Sequence, residues 1–151
     1  MEISVIIPLY NKALYIQRAI DSIMNQTRSI SEIIVIDDGS TDNGYDIVAE
    51  IALYNNKINL FKQENHGVSF TRNRGVQIAK SEFVAFLDAD DEWKPDYLSH
   101  IQRLYNNFPD CGAYATSYEV VRDCGVKTHP LVIGVPPSPW IGIVPNLFQM
   151  M

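Results

Sequence analysis

The sequence predicts an α/β fold: a mostly parallel central sheet with helices on both faces. Three observations carry that expectation. Short runs rich in β-branched residues alternate with segments of helical spacing. One run, Ile33-Ile34-Val35-Ile36, is continuously apolar, as in a strand buried on both sides. Turn-forming or acidic residues follow the runs directly, at Tyr10, at Asp38 and at Asp88–Asp91. In a parallel sheet such ends share one edge, and ligands of open α/β sheets bind there.

The elements follow in order. Ile3–Pro8 reads as the first strand. Leu14–Gln26 has helical spacing, with Ile16, Ala19, Ile20, Ile23 and Met24 on one face. Glu32–Asp37 is the second strand and runs into Asp38-Gly39-Ser40-Thr41-Asp42, a turn with helix-capping residues. Tyr45–Tyr54 follows as a helix with Ile47, Val48, Ile51 and Ala52 inward, and Ile58–Gln63 as the third strand. Gly67 opens a helical segment, Val68–Lys80, in which Phe70, Val76 and Ala79 are expected to pack. Phe83–Leu87 is the fourth strand. Pro95 suits the first turn of a helix whose face is Tyr97, Leu98, Ile101, Leu104, Tyr105 and Phe108. Gly112–Tyr118 reads as a further strand. After it the pattern stops. Five of the eight prolines fall in the final 22 residues, among apolar residues from Leu131 to Phe148.

The length of 151 residues suits one domain. A net charge of −6 argues against a nucleic-acid backbone as partner, since such binders need a basic stripe. It does not argue against a nucleotide, whose phosphates a metal can neutralise. Cys111 and Cys124 match no zinc spacing, and the start Met1-Glu2-Ile3-Ser4 carries an acid where a signal peptide needs basic residues. No stretch reaches the ~18 apolar residues of a spanning helix. These features predict a reduced, cytoplasmic protein, with peripheral membrane attachment left open.

Chemistry concentrates after the strands. Phe83-Val84-Ala85-Phe86-Leu87 ends in Asp88, Asp90 and Asp91. Like charges so close repel, and such a cluster persists when something positive sits in it, most often a divalent cation. The alternative is a capped turn before the following helix. Asp37 and Asp38 can accept hydrogen bonds from a base or a ribose, or can simply close a turn. Tyr10 can stack on a base or line the rim. Arg72 can meet a phosphate, with Asn73 and Gly75 allowing close approach, or belong to a solvated basic face. His66 alone points to no particular chemistry.

Together the segments carry a resemblance. Ser4-Val5-Ile6-Ile7-Pro8-Leu9-Tyr10-Asn11, Ser22-Ile23-Met24-Asn25-Gln26-Thr27 and Ile34-Val35-Ile36-Asp37-Asp38-Gly39-Ser40-Thr41-Asp42 resemble the opening of a family 2 glycosyltransferase. Gly67-Val68-Ser69, Arg72-Asn73-Arg74-Gly75, Phe86-Leu87-Asp88-Ala89-Asp90-Asp91 and Trp93-Lys94-Pro95 continue the match, over roughly residues 2 to 110. The resemblance implies a GT-A fold, a Rossmann-like α/β sandwich. It implies sugar transfer, with inversion, from a nucleoside-diphosphate-sugar, usually a UDP-sugar, to a carbohydrate or lipid-linked acceptor in polysaccharide assembly. By the same likeness Pro8, Leu9, Tyr10 and Asn11 line the nucleotide pocket, Tyr10 lies near the base and Asp38 bonds to it. Gly67, Arg72 and Asn73 lie alongside. Asp88, Ala89 and Asp90 match the Asp-x-Asp motif, in which Asp90 coordinates Mn²⁺ or Mg²⁺ and Asp88 faces the ribose or supports the metal.

One departure matters. Inverting transfer needs a general base. In relatives it lies well after Asp-x-Asp, commonly in a Glu-Asp pair, and no Glu-Asp pair follows Asp91 here. The expected organisation is therefore a donor-binding domain over residues 1–112 and the incomplete start of an acceptor-side region over 113–151. The base is expected beyond Met151, with weak or no activity for this chain alone. The apolar end then becomes a candidate dimer surface. A non-catalytic nucleotide-sugar-binding or assembly module is the alternative. An aspartate-nucleophile phosphotransferase needs its motif on the first strand, and a dinucleotide-binding dehydrogenase needs a Gly-x-Gly-x-x-Gly loop that is missing here.

Overall fold

The computed structural model describes residues 1–121 and 125–128. The expected apolar C-terminal segment and its dimer surface lie outside the described residues. The elements are β1 (Ile3–Leu9), α1 (Ile16–Met24), β2 (Glu32–Asp38), α2 (Gly44–Leu53), β3 (Ile58–Gln63), α3 (Val68–Ile78), β4 (Phe83–Phe86) and α4 (Tyr97–Asn107). Two-residue strands β5 (Val120–Val121) and β6 (Lys127–Thr128) pair antiparallel. Two compact units are distinguished, Met1–Ser99 and His100–Met151.

In the first unit four parallel strands form one sheet in the order β3-β2-β1-β4. The alternation of strand and helix sets this arrangement, because each parallel pairing requires a crossover. The chain moves outward from β1 to β2 to β3, then returns to the other side of β1 as β4. The carboxyl ends of β1 and β4 therefore flank a topological switch point, where the crevice of an open α/β sheet lies.

The two faces follow from period-2 alternation along the strands. Ile3, Val5, Ile7 and Leu9 of β1, with Ile33 and Val35 of β2, pack with Ile16, Ala19, Ile20 and Ile23 of α1 and Val48 of α2. Ile6, Ile34 and Ile36 face the other way, with Phe61, Ile78, Ala79 and Val84 against them. Burying each such isoleucine contributes about 1.5–3 kcal/mol, so the central strands anchor the unit. Helices thus cover both faces, as the sequence predicts.

Three expectations about packing are corrected. Met24 is 41% exposed, as the last residue of α1. On α3, Phe70 and Val76 are about half exposed, whereas Thr71 and Gly75 are buried. The helix approaches the sheet through its smallest residues: a Cβ on Gly75 would collide with Ile6 Cγ2. The segment expected as a strand over Gly112–Tyr118 has no regular structure. Instead Tyr114 turns back, its hydroxyl donating to the Phe108 carbonyl at 2.7 Å and its ring meeting Tyr105 edge-on.

At the amino edge of the sheet, Glu32 is 5% exposed and fully bonded. Ser4 Oγ and the Lys80 amide donate to Oε1 at 2.8 Å each, and Asn59 Nδ2 donates to Oε2 at 2.9 Å. This one carboxylate joins β1, β2, β3 and the chain entering β4. A polar cleft of about 180 Å³ opens beside it, remote from the switch point. No helix among the described residues is long and apolar enough to cross a membrane.

Candidate functional site

The loops that follow the four strands meet at the carboxyl edge of the sheet, and hydrogen bonds tie the loop after β1 to those after β2 and β4, and the loop after β2 to that after β3. The first follows β1. Asn11 stands at φ +51°, a left-handed backbone that asparagine tolerates better than most residues. Its Oδ1 accepts from the Thr41 amide at 2.8 Å and from Thr41 Oγ1 at 3.2 Å, while its own amide donates to Ser40 Oγ at 3.0 Å. Asp42 completes the joint by accepting from the Ala13 amide at 2.9 Å and the Gly44 amide at 3.0 Å. The Asp-Gly-Ser-Thr-Asp turn is thereby bolted to the end of β1.

The second joint is built on Asp38, which is 3% exposed. Its Oδ1 accepts from Gln63 Nε2 at 2.7 Å and from the His66 amide at 2.9 Å, and its Oδ2 accepts from the Gly67 amide at 2.8 Å. Gln63 also donates to Thr71 Oγ1 and accepts from Arg74 Nη1. Burial pushes the Asp38 carboxyl up, but these donors outweigh it and hold the group below the ordinary carboxylate value. Gly67 sits at φ +86°, a conformation that glycine adopts without penalty, and this aims its amide at Asp38. Asp37 points elsewhere: it is fully buried, Oδ1 accepts from the Ser40 amide, and Oδ2 lies 3.8 Å from Lys62 Nζ.

The loop after β4, Leu87–Pro95, carries the acidic cluster and rests on α1. Arg18 Nη2 donates to the Asp90 carbonyl at 2.7 Å, and Arg18 Nε lies 3.5 Å from Glu92. The Trp93 amide donates to Ser22 Oγ, and Gln26 Nε2 donates to the Lys94 carbonyl. The two motif carboxylates each meet a cation from another element. Arg72 Nη2 lies 2.6 Å from Asp88 Oδ1, and Lys12 Nζ lies 2.6 Å from Asp90 Oδ2. The bond from Lys12 holds the Asp90 carboxyl below its usual range against partial burial, and the same bond raises the Lys12 ammonium. Asp91 goes the other way: desolvation, then the charges of Asp90 and Asp88, push its carboxyl up.

Side-chain cations, Lys12 and Arg72, thus lie against the two carboxylates for which the sequence points to a divalent ion. Neither Lys12 nor Arg18 is among the site residues the sequence reading selects. Lys12 follows Asn11 directly, so a search for cations near strand ends finds it.

The residues nonetheless suit a small dication. Asp88 and Asp90 each give one oxygen to their cation and stay about two-fifths exposed, at 44% and 41% of the side chain. Mg²⁺-type ions take hard oxygen ligands, usually one or two carboxylates plus substrate phosphates. Among the described residues there is no cluster of three or more His, Cys, Asp or Glu that would cage a metal. Such a cage is not required where phosphates complete the shell.

The remaining selected residues divide. Tyr10 is 48% exposed at the end of β1, its ring available for stacking. Pro8 is half-buried, and Leu9 and Ala89 are buried in the core, so they reach the crevice only through their backbone. Asn73 is exposed on α3, and helical spacing turns it away from the buried Thr71 and Gly75. The structure therefore brings together Tyr10, Asn11, Asp38, Gly67, Arg72, Asp88 and Asp90, and leaves Asn73 apart.

A topological switch point whose carboxyl edge carries an exposed aromatic ring and paired carboxylates is the arrangement of α/β proteins of the nucleotide-binding type. The comparisons narrow this class. Residues 4–146 match the family described as Glycosyl transferase family 2. The chain belongs to that family. An uncharacterised glycosyltransferase of Nostoc sp., alr2836, is 46% identical over 106 residues, covering 70% of this chain and 33% of the relative. Staphylococcus aureus TarS 1–349 in complex with UDP-GlcNAc superposes with a TM-score of 0.64 at 31% identity, over 72% of this chain and 32% of that one. The mannosyltransferase PcManGT of Pyrobaculum calidifontis, in complex with GDP-Man and Mn²⁺, gives a TM-score of 0.63 at 29% identity, over 68% and 31%. The architecture is thus GT-A. The chain spans about a third of the length of alr2836 and of EpsH of Bacillus subtilis, and between a tenth and a half of other relatives that it matches.

Proposed function

We propose that this chain is the donor-binding part of an inverting, metal-assisted glycosyltransferase that uses a UDP-sugar. The observation that carries the reading is the meeting of Tyr10, Asp38, Arg72, Asp88 and Asp90 at one edge of the sheet. They come from four separate segments of sequence. The solved relatives bound to UDP-GlcNAc and GDP-Man support the donor class.

In this reading Tyr10 stacks on the base. Asp38 acts on the base edge together with the loop it holds, since its oxygens already carry Gln63 and the His66 and Gly67 amides. Asp90, with Asp88, would hold Mn²⁺ or Mg²⁺. When bound, such an ion neutralises the charge that develops on the departing nucleoside diphosphate, an effect worth several kcal/mol. Arg72 lies beside Asp88 and adds a permanent positive charge near the phosphates. Residues 1–112 form the donor-binding region and 113–151 begin the acceptor side. No carboxylate of this chain is assigned as the general base, so transfer by this chain alone is expected to be weak or nil.

Titration calorimetry with UDP, with and without Mn²⁺, tests the reading. Binding that strengthens with Mn²⁺ and loses that gain in Asp90→Ala is expected. Equal affinity with and without metal, in both proteins, sinks the metal role. No UDP binding at all sinks the donor site.

A further inference from the structure

The two motif aspartates carry different cations, held in different ways. Arg72 projects from α3 and lies over the Phe86 ring at 6.0 Å, so its planar guanidinium is packed as well as paired. Lys12 reaches Asp90 by a flexible four-carbon stem from a loop whose backbone is fixed without it. The amides on either side, of Asn11 and Ala13, donate to Ser40 and Asp42. The acidic loop is likewise fixed without Lys12, because Arg18 holds the Asp90 carbonyl and Ser22 holds the Trp93 amide. The ammonium can leave Asp90 Oδ2 with no backbone movement on either side. Lys12 is 39% exposed and Asp90 41%, so the exchange takes place at the water-facing side of the crevice.

We infer that Lys12 is a resident counter-ion for Asp90, one that a divalent cation must displace and that then serves the diphosphate of the donor. The inference rests on the proposed donor site. Without nucleotide, the dication competes with an ammonium already on its ligand, and the displaced ammonium is left to water, to the Tyr15 ring 5.9 Å away, and to the more distant Asp91 and Asp88 carboxylates, the latter already held by Arg72. With a diphosphate in the crevice the ammonium gains a new anion. Metal and nucleotide therefore favour one another, and by linkage the effect is reciprocal. A lone dication binds weakly, and the two ligands bind as a pair.

Lys12→Met, Lys12→Arg and the unaltered chain, all 151 residues, separate these ideas. Mn²⁺ alone is titrated by the electron paramagnetic resonance signal of the free ion, and UDP by calorimetry with and without Mn²⁺. Lys12→Met should bind Mn²⁺ alone about two- to fivefold more tightly, the size expected of a half-exposed ion pair. It should also lose most of the mutual strengthening between Mn²⁺ and UDP, which Lys12→Arg should retain. Unchanged or weaker Mn²⁺ binding by Lys12→Met, with UDP still bound by the unaltered chain, overturns the inference and leaves the donor site standing. If UDP binds neither protein, the donor site itself is wrong.

Discussion

Gly75 of α3 lies so close to Ile6 of β1 that a methyl group on the glycine would overlap the isoleucine Cγ2. Two effects oppose each other at this position. Alanine is favoured over glycine in a helix interior by about 1 kcal/mol. Overpacking a tight core contact costs about 1–3 kcal/mol. Ile6 is fully buried and cannot swing away, so the clash decides the sign. Gly75→Ala is expected to lower stability in urea denaturation, and Gly75→Val to lower it further. A more stable Gly75→Ala protein would show that α3 can lift from the sheet freely.

The Asp38 carboxyl is held below its ordinary value although burial opposes this. A group whose folded-state value is depressed stabilises the fold above its unfolded-state value. That stabilisation is lost as pH falls through the folded value. The chain should therefore lose stability below about pH 4, where free aspartate begins to take up protons. Asp38→Asn should be less stable at neutral pH and show a flatter acid limb. Parallel pH profiles for the two proteins would remove Asp38 as the cause.

Asn11 combines a positive φ with hydrogen bonds to the Thr41 backbone and side chain. The two contributions separate on substitution. Asn11→Gly loses the bonds but relieves the backbone, while Asn11→Ala loses both. Asn11→Ala should be less stable than Asn11→Gly by about 1 kcal/mol. Thermal melts of the pair measure the difference, and a reversed order would exclude backbone strain as a factor.

Glu32 offers a control far from the crevice. Removing it leaves Ser4, Asn59 and the Lys80 amide without their buried acceptor. Glu32→Ala should cost about 3 kcal/mol. UDP affinity, measured well below the melting temperature, should stay within experimental error of the unaltered chain. A large loss of affinity would mean that the two edges of the sheet are coupled.

Most of the sheet was legible because period-2 alternation and continuous apolar runs mark strands directly. The order in which residues meet at the crevice was legible for the same reason: parallel strands bring their ends to one edge. What escaped was packing carried by residues that do not look hydrophobic. Thr71 and Gly75 turn α3 toward the sheet, and a count of apolar side chains selects Phe70 and Val76 instead. Gly112–Tyr118 has the composition of a strand but no partner strand among the described residues to complete it. The acidic tip calls for positive charge nearby, and the sequence points there to a divalent ion rather than to side chains. Which charge it uses depends on Lys12 and Arg72, contributed 78 and 16 residues upstream of their partners, and strand assignment alone does not reveal such pairings.

The sheet order also dictates a sequence of assembly. β1 has β2 on one side and β4 on the other, yet β4 is the last of the four strands to be synthesised. As the chain emerges from the ribosome, the joint between Asn11 and the Ser40–Asp42 turn can close early, from nearby residues. The flank of β1 that receives Phe83–Phe86 must wait, its amides and carbonyls open to water or to a chaperone. The joint that fixes the loop after β1 is thus finished first, and the acidic loop with Asp88 and Asp90 arrives only with the last strand of the sheet.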